Sequence, residues 1–116
     1  MNLSLEGKIA IVTGGSKGIG RATALALAEE GVDMSICARG LEDLESTASE
    51  IRSKTGRKVL AIQADTGKPD DIKNLVSTTV AEFGGVDFLV NNAVNSRAAT
   101  FMDLEDEDWL NHINVK

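Results

Sequence analysis

At 116 residues, 42% hydrophobic and 26% charged, the chain has the length and composition of one soluble globular domain or part of one. A net charge of −6 excludes generic nucleic-acid binding, and no apolar run approaches the roughly 20 residues of a membrane span. The lone Cys37 excludes a disulfide framework or a cysteine metal cluster, and MNLSLEGK is not a signal-peptide pattern, so the features fit a cytoplasmic protein.

Strand-like and helix-like segments alternate along the chain, with no linker, repeat or low-complexity tract. KIAIVT (8–13) is a short apolar, β-branched run that predicts a strand. The alanine-rich stretch from Ile19 to Glu30 predicts a helix capped by Gly31, with Ala22 and Ala26 expected to let it lie close to the sheet. DMSICA (33–38) predicts a second strand. A second helix follows with Leu41, Leu44, Ala48 and Ile51 on one face, closed by Gly56. KVLAIQA (58–64) predicts a third strand. Pro69, Asp70 and Asp71 open a third helix, because proline and acids suit a first turn. Its apolar positions are Ile72, Leu75, Val76, Thr79, Val80 and Phe83, and Gly84 and Gly85 end it. VDFLVNN (86–92) predicts a fourth strand, and a last helical stretch begins near Leu104 with Asp103 as N-cap. The order βαβαβαβα predicts an α/β fold, a Rossmann-type doubly wound parallel sheet with right-handed crossovers.

In such a sheet, ligands bind beyond the carboxyl ends of the strands, where strand order reverses. The polar clusters fall there. Thr13–Gly20 follows the first strand, Ala38-Arg39-Gly40 the second, Asp65-Thr66-Gly67 the third, and Asn91 and Asn92 the fourth. Glycines let the first loop turn tightly and let a ligand approach the backbone. The N-terminus of the following helix offers free N–H groups and a positive dipole end to a phosphate. No Lys-Ser or Lys-Thr follows the glycines, so this is not a P-loop. Arg39 stands where a carboxylate would bind a ribose 2′-OH, and Lys17 adds a second cation. Both favour NADP(H) over NAD(H), since arginine pairs bidentately with a 2′-phosphate.

TGGSKGIG (13–20) resembles the TGxxxGxG loop of the short-chain dehydrogenase/reductase family, and Asp65-Thr66, NNAV (91–94) and Trp109 followed by Asn114 resemble its later motifs. FMDLEDEDW (101–109) is further similar to 3-oxoacyl-(acyl-carrier-protein) reductases and their sugar- or alcohol-oxidising relatives. The resemblance covers nearly the whole chain. It implies hydride transfer between a nicotinamide cofactor and a ketone or alcohol. It implies roles around the cofactor phosphates for Gly14, Ser16, Lys17, Gly18, Ile19 and Gly20. Asp65 and Thr66 would lie at the adenine, and Asn92, Ala93 and Val94 along the adjoining ribose. Asn91 would tie neighbouring strands, and Asn114 would be the family's catalytic asparagine, holding a water that links the catalytic lysine to solvent. Val94 stands where the family has glycine, and its Cβ narrows the approach.

The chain contains no tyrosine. The family's catalytic serine and Tyr-x-x-x-Lys pair would lie beyond Lys116. Residues 1–116 therefore read as the N-terminal dinucleotide-binding portion of one Rossmann domain, with the sheet truncated after about four strands. Such a portion is expected to be inactive alone and to expose the fourth strand as an apolar edge that self-associates. The resemblance implies a homo-oligomer, a dimer or tetramer, acting on a small molecule with no nucleic-acid or membrane partner. The alternative is a non-catalytic nucleotide-binding or interaction module. His112 and Trp109 read as packing or surface residues, and the acidic run 103–108 as a solvated helix start rather than a metal site.

Overall fold

The computed structural model describes residues 5–92. Its elements run β1 (Ile9–Thr13), α1 (Gly18–Glu29), β2 (Asp33–Ala38), α2 (Leu41–Thr55), β3 (Val59–Gln63), α3 (Pro69–Phe83) and β4 (Phe88–Asn91). All strand pairs are parallel and the sheet order is β3-β2-β1-β4. The chain lays β2 and β3 on one side of β1, then crosses to place β4 on the other. The reversal therefore lies between β1 and β4. The last helical stretch expected near Leu104 falls outside the described residues.

Strand alternation sends side chains to two separate cores, because successive residues face opposite sides of a sheet. Ala10, Val12, Met34 and Ile36 face α1 and α2, packing with Ala24, Ala28, Leu44, Ala48 and Ile51. Ile11 and Cys37 face α3, packing with Ile72, Leu75 and Val76. Sheet coverage on both faces is why the strands read as nearly continuous apolar runs. Ser35 also faces α3, fully buried, and shares a 2.7 Å hydroxyl hydrogen bond with Thr79, whose hydroxyl also lies 2.7 Å from the Leu75 carbonyl oxygen.

The helix ends follow their local chemistry. Gly56 and Gly84 adopt left-handed backbone (φ 72° and 87°) and close α2 and α3, each donating its N–H to a carbonyl four residues back. Pro69 and two acids open α3. Two details differ from the sequence reading. The α1 face against the sheet is Gly20, Ala24 and Ala28, a stripe at four-residue spacing, while Ala22 and Ala26 are exposed. In α2, Leu41 is exposed and the buried face is Leu44, Thr47, Ala48 and Ile51. The fourth strand begins at Phe88 rather than Val86. Ahead of it, the Asp87 side chain accepts the Ile9 N–H at 2.9 Å and its own N–H donates to the Ile9 carbonyl at 2.8 Å.

Candidate functional site

The glycine loop between β1 and α1 is held by three constraints. Gly14 and Gly18 have positive φ (64° and 56°), which L side chains rarely adopt. The Gly15 N–H donates to the Cys37 carbonyl at 3.1 Å, tying the loop to the end of β2, and a Cβ on Gly15 would meet Ile36 Cβ at 2.9 Å. A Cβ on Gly20 would lie 1.9 Å from the Gly14 carbonyl oxygen, so α1 can start against the loop only with glycine there. Lys17 is the extended N-cap of α1. No side chain caps that end and no acid occupies its first turn, so the helix start is left to an anion. On the far side, the nearly buried Thr47 of α2 donates its hydroxyl to the Ser16 carbonyl at 3.2 Å.

Arg39 leaves the end of β2 exposed to solvent, and its guanidinium forms no ion pair among the described residues. Its carbonyl accepts the Gln63 side-chain amide at 2.8 Å, which fixes the backbone from which the side chain projects. Lys17 is differently placed. Its ammonium lies 3.6 Å from the Asp43 carboxylate, with both side chains largely exposed. The second cation read from the sequence is therefore partly offset by an acid in the first turn of α2. A second exposed pair, Arg21 with Glu50, joins α1 to α2, and Lys54 together with Arg21 holds the Glu50 carboxyl below its ordinary range.

Beyond β3, Asp65 shapes its own turn. Its carboxylate accepts the Gly67 N–H at 2.8 Å, its carbonyl accepts the Lys68 N–H at 2.9 Å, and its N–H donates to Asp71 Oδ2 at 2.9 Å. The half-buried carboxylate is thereby oriented on a fixed loop. Between β1 and β4, the fully buried Thr13 hydroxyl bonds Asn91 Oδ1 at 2.8 Å and accepts the Asn92 N–H at 3.0 Å. Asn91 thus ties the two strands, while Asn92 Nδ2 is buried with no hydrogen-bond partner among the described residues. A buried amide nitrogen without a partner is costly, and a ligand acceptor would satisfy it.

These ends converge. A cleft of about 780 Å³ is lined by Gly14, Ser16, Lys17, Gly18, Ile19, Gly20, Arg39, Asp65, Thr66 and Asn92, which are all the site residues expected from the sequence within the described span. Ala93, Val94 and Asn114 lie outside the described residues, as do Trp109 and His112. The sequence reading missed Asp43, which lines the cleft, and the support Thr47, and it gave no separate role to Thr13 and Gly15 within the glycine loop.

The pattern of the short chain dehydrogenase family matches residues 8–116. The chain belongs to the short-chain dehydrogenase/reductase family. It is 42% identical over 103 residues to the 3-oxoacyl-(acyl-carrier-protein) reductase of Staphylococcus epidermidis, covering 88% of this chain and 42% of that protein. It is 40% identical over 116 residues to 2-dehydro-3-deoxy-D-gluconate 5-dehydrogenase of Escherichia coli, covering 97% and 44%. Among solved structures, L-sorbose reductase from Gluconobacter frateurii, crystallised with NADPH and L-sorbose, superposes with a TM-score of 0.79 at 37% identity, covering 94% of this chain and 41% of that one. The chain thus spans less than half the length of the curated relatives it matches.

In this short-chain dehydrogenase/reductase cleft the one thiol is not a nucleophile. Burial pushes Cys37 up to about 12, only slightly offset by the Gly14 amide. Among the described residues there is no cluster of acids, histidines and cysteines able to hold a metal, and no helix is long and apolar enough to cross a membrane. Among the described residues the rim supplies backbone N–H groups, a guanidinium without an ion pair, an oriented carboxylate and an amide nitrogen without a partner. That set suits binding and orientation of an anionic, hydrogen-bonding ligand.

Proposed function

We propose that residues 1–116 form the cofactor-binding part of an NADP(H)-dependent oxidoreductase whose full-length protein interconverts a small ketone and its alcohol. The observation that carries this reading is the convergence of four strand ends on one cleft at the sheet's reversal point, with Asn92 Nδ2 unsatisfied there. The glycine loop and α1 N-terminus would hold the pyrophosphate. Asp65 and Thr66 would meet the adenine, Asn92 with Ala93 and Val94 the adjoining ribose, and Asn114 would organise the proton-relay water. When bound, the nicotinamide gives or takes hydride; the described residues bind and orient it. Support for the phosphorylated cofactor comes from Arg39 at the end of β2, where the run Cys37-Ala38-Arg39-Gly40 carries no carboxylate to accept a 2′-OH. A cytoplasmic homo-oligomer, dimer or tetramer, completes the proposal.

Titration of the full-length protein with NADPH and NADH, followed by nicotinamide fluorescence, tests it. NADPH is expected to bind tighter, and Arg39→Ala to remove about ten- to hundredfold of that preference, the worth of a charge-assisted hydrogen bond. Equal affinities, or a preference untouched by Arg39→Ala, would overturn the NADP(H) assignment; binding of neither would favour a module of another kind.

A further inference from the structure

We propose that Thr47 is a positioning residue for the cofactor-binding loop, acting through the Ser16 carbonyl. This rests on the dinucleotide reading of the cleft. Thr47 sits mid-way along α2 on its buried face, almost fully removed from solvent. Its neighbours on that face, Leu44, Ala48 and Ile51, pack in the core and make no polar contact with the loop. Thr47 alone spends a hydroxyl there, donating it to Ser16 at 3.2 Å.

The geometry of the peptide unit gives the bond its consequence. A trans peptide points its carbonyl and its N–H in opposite directions. Thr47 does not line the cleft, whereas Ser16 and Lys17 do. Holding the Ser16 carbonyl toward Thr47 therefore turns it away from the ligand space, and turns the Lys17 N–H away from Thr47. Rotation of this peptide would bring a carbonyl oxygen, a partial negative charge, toward the cradle for an anionic ligand. The buried hydroxyl opposes that rotation before any ligand arrives, which is preorganisation of the anion site.

The test compares Thr47→Val, nearly isosteric but without the hydroxyl, with Thr47→Ser, which keeps it, in the full-length protein. The ligands are NADPH and adenosine 2′-monophosphate, which carries the 2′-phosphate but no pyrophosphate. Thr47→Val is expected to weaken NADPH about three- to tenfold, the range for one neutral hydrogen bond, and to leave adenosine 2′-monophosphate within about twofold. Thr47→Ser is expected to restore NADPH binding. Unchanged NADPH affinity in Thr47→Val, equal weakening of both ligands, or no rescue by serine would each overturn the positioning role. Failure of the wild-type protein to bind NADPH would instead remove the cofactor reading on which it rests.

Discussion

At the scale of single residues, the site is shaped by absences as much as by groups. Gly20 has no room for a Cβ: the added carbon would sit 1.9 Å from a backbone oxygen that cannot swing aside as a side-chain tip would. Gly20→Ala is expected to cost about 3 kcal/mol, at the upper end of overpacking penalties, and to weaken cofactor binding by displacing the loop. Urea unfolding midpoints check the first effect and NADPH titration the second. Asp43 presents the reverse case, a group whose removal helps. Its carboxylate pairs with Lys17 and, on the proposed reading, would compete with a cofactor phosphate for it. Asp43→Asn is expected to tighten NADPH severalfold, an effect that shrinks as salt is raised because the pair is exposed. Unaltered affinity at low salt would show that Lys17 takes no part in phosphate binding.

At the scale of elements, one hydroxyl ties the carboxyl ends of β1 and β4. Thr13 serves Asn91 and Asn92 together, so Thr13→Val removes the acceptor of the Asn92 N–H and the 2.8 Å bond to Asn91 Oδ1. The expected loss is about 1–3 kcal/mol, the cost of stranding buried polar groups, read as a lower melting temperature. Thr13→Ser should recover most of it. The succession of strands and helices was legible in the sequence because each element carries its own period and its own stop. Gly56 and Gly84 end α2 and α3 as expected, and DMSICA forms a strand with the boundaries read from sequence. The orientation of α1 was not legible. Ala22, Ala24, Ala26 and Ala28 alternate, and periodicity cannot choose between the pairs. The choice is made by Gly20, whose contact with Gly14 turns the 20-24-28 stripe inward. Asp43 and Thr47 were hidden for a related reason. An acid in a first turn reads as a dipole partner, and a threonine on an apolar face reads as core, until tertiary structure sets the glycine loop beside them. The rim residues themselves were readable because topology alone gathers strand ends.

At the scale of the whole molecule, burial decides how the thiol and the sheet edge behave. Cys37 stays protonated to about pH 12 when folded, against a usual value of 9.0. The unfolded chain loses that proton first, so stability is full below pH 9 and falls as pH rises from 9 toward 12. Alkylation by iodoacetamide at pH 8 should be orders of magnitude slower in the folded protein than in urea. Rapid labelling of the native state would contradict the burial. Strand β4 lies at one end of the described sheet and presents Phe88, Leu89 and Val90, only partly buried. Residues 1–116 expressed alone are expected to associate through this edge, giving a light-scattering mass above 12.3 kDa that rises with concentration. A concentration-independent monomer would count against it.

The sheet also acts as a partition. The apolar cluster under α1 and α2 and the cluster under α3 lie on opposite faces and share no member. Damage on one side has little means of being repaired on the other. Core truncations such as Ala48→Gly and Leu75→Ala should sum to within about 0.5 kcal/mol in a double-mutant cycle. In the proposed function the cofactor would straddle the top of that wall. The glycine loop is braced by Thr47 of α2 on one face, and the Asp65 turn by Asp71 of α3 on the other. The two clusters touch the same strands but share no side chain, so on that reading bound dinucleotide would act as a clasp across them, coupling mutations that are otherwise nearly independent.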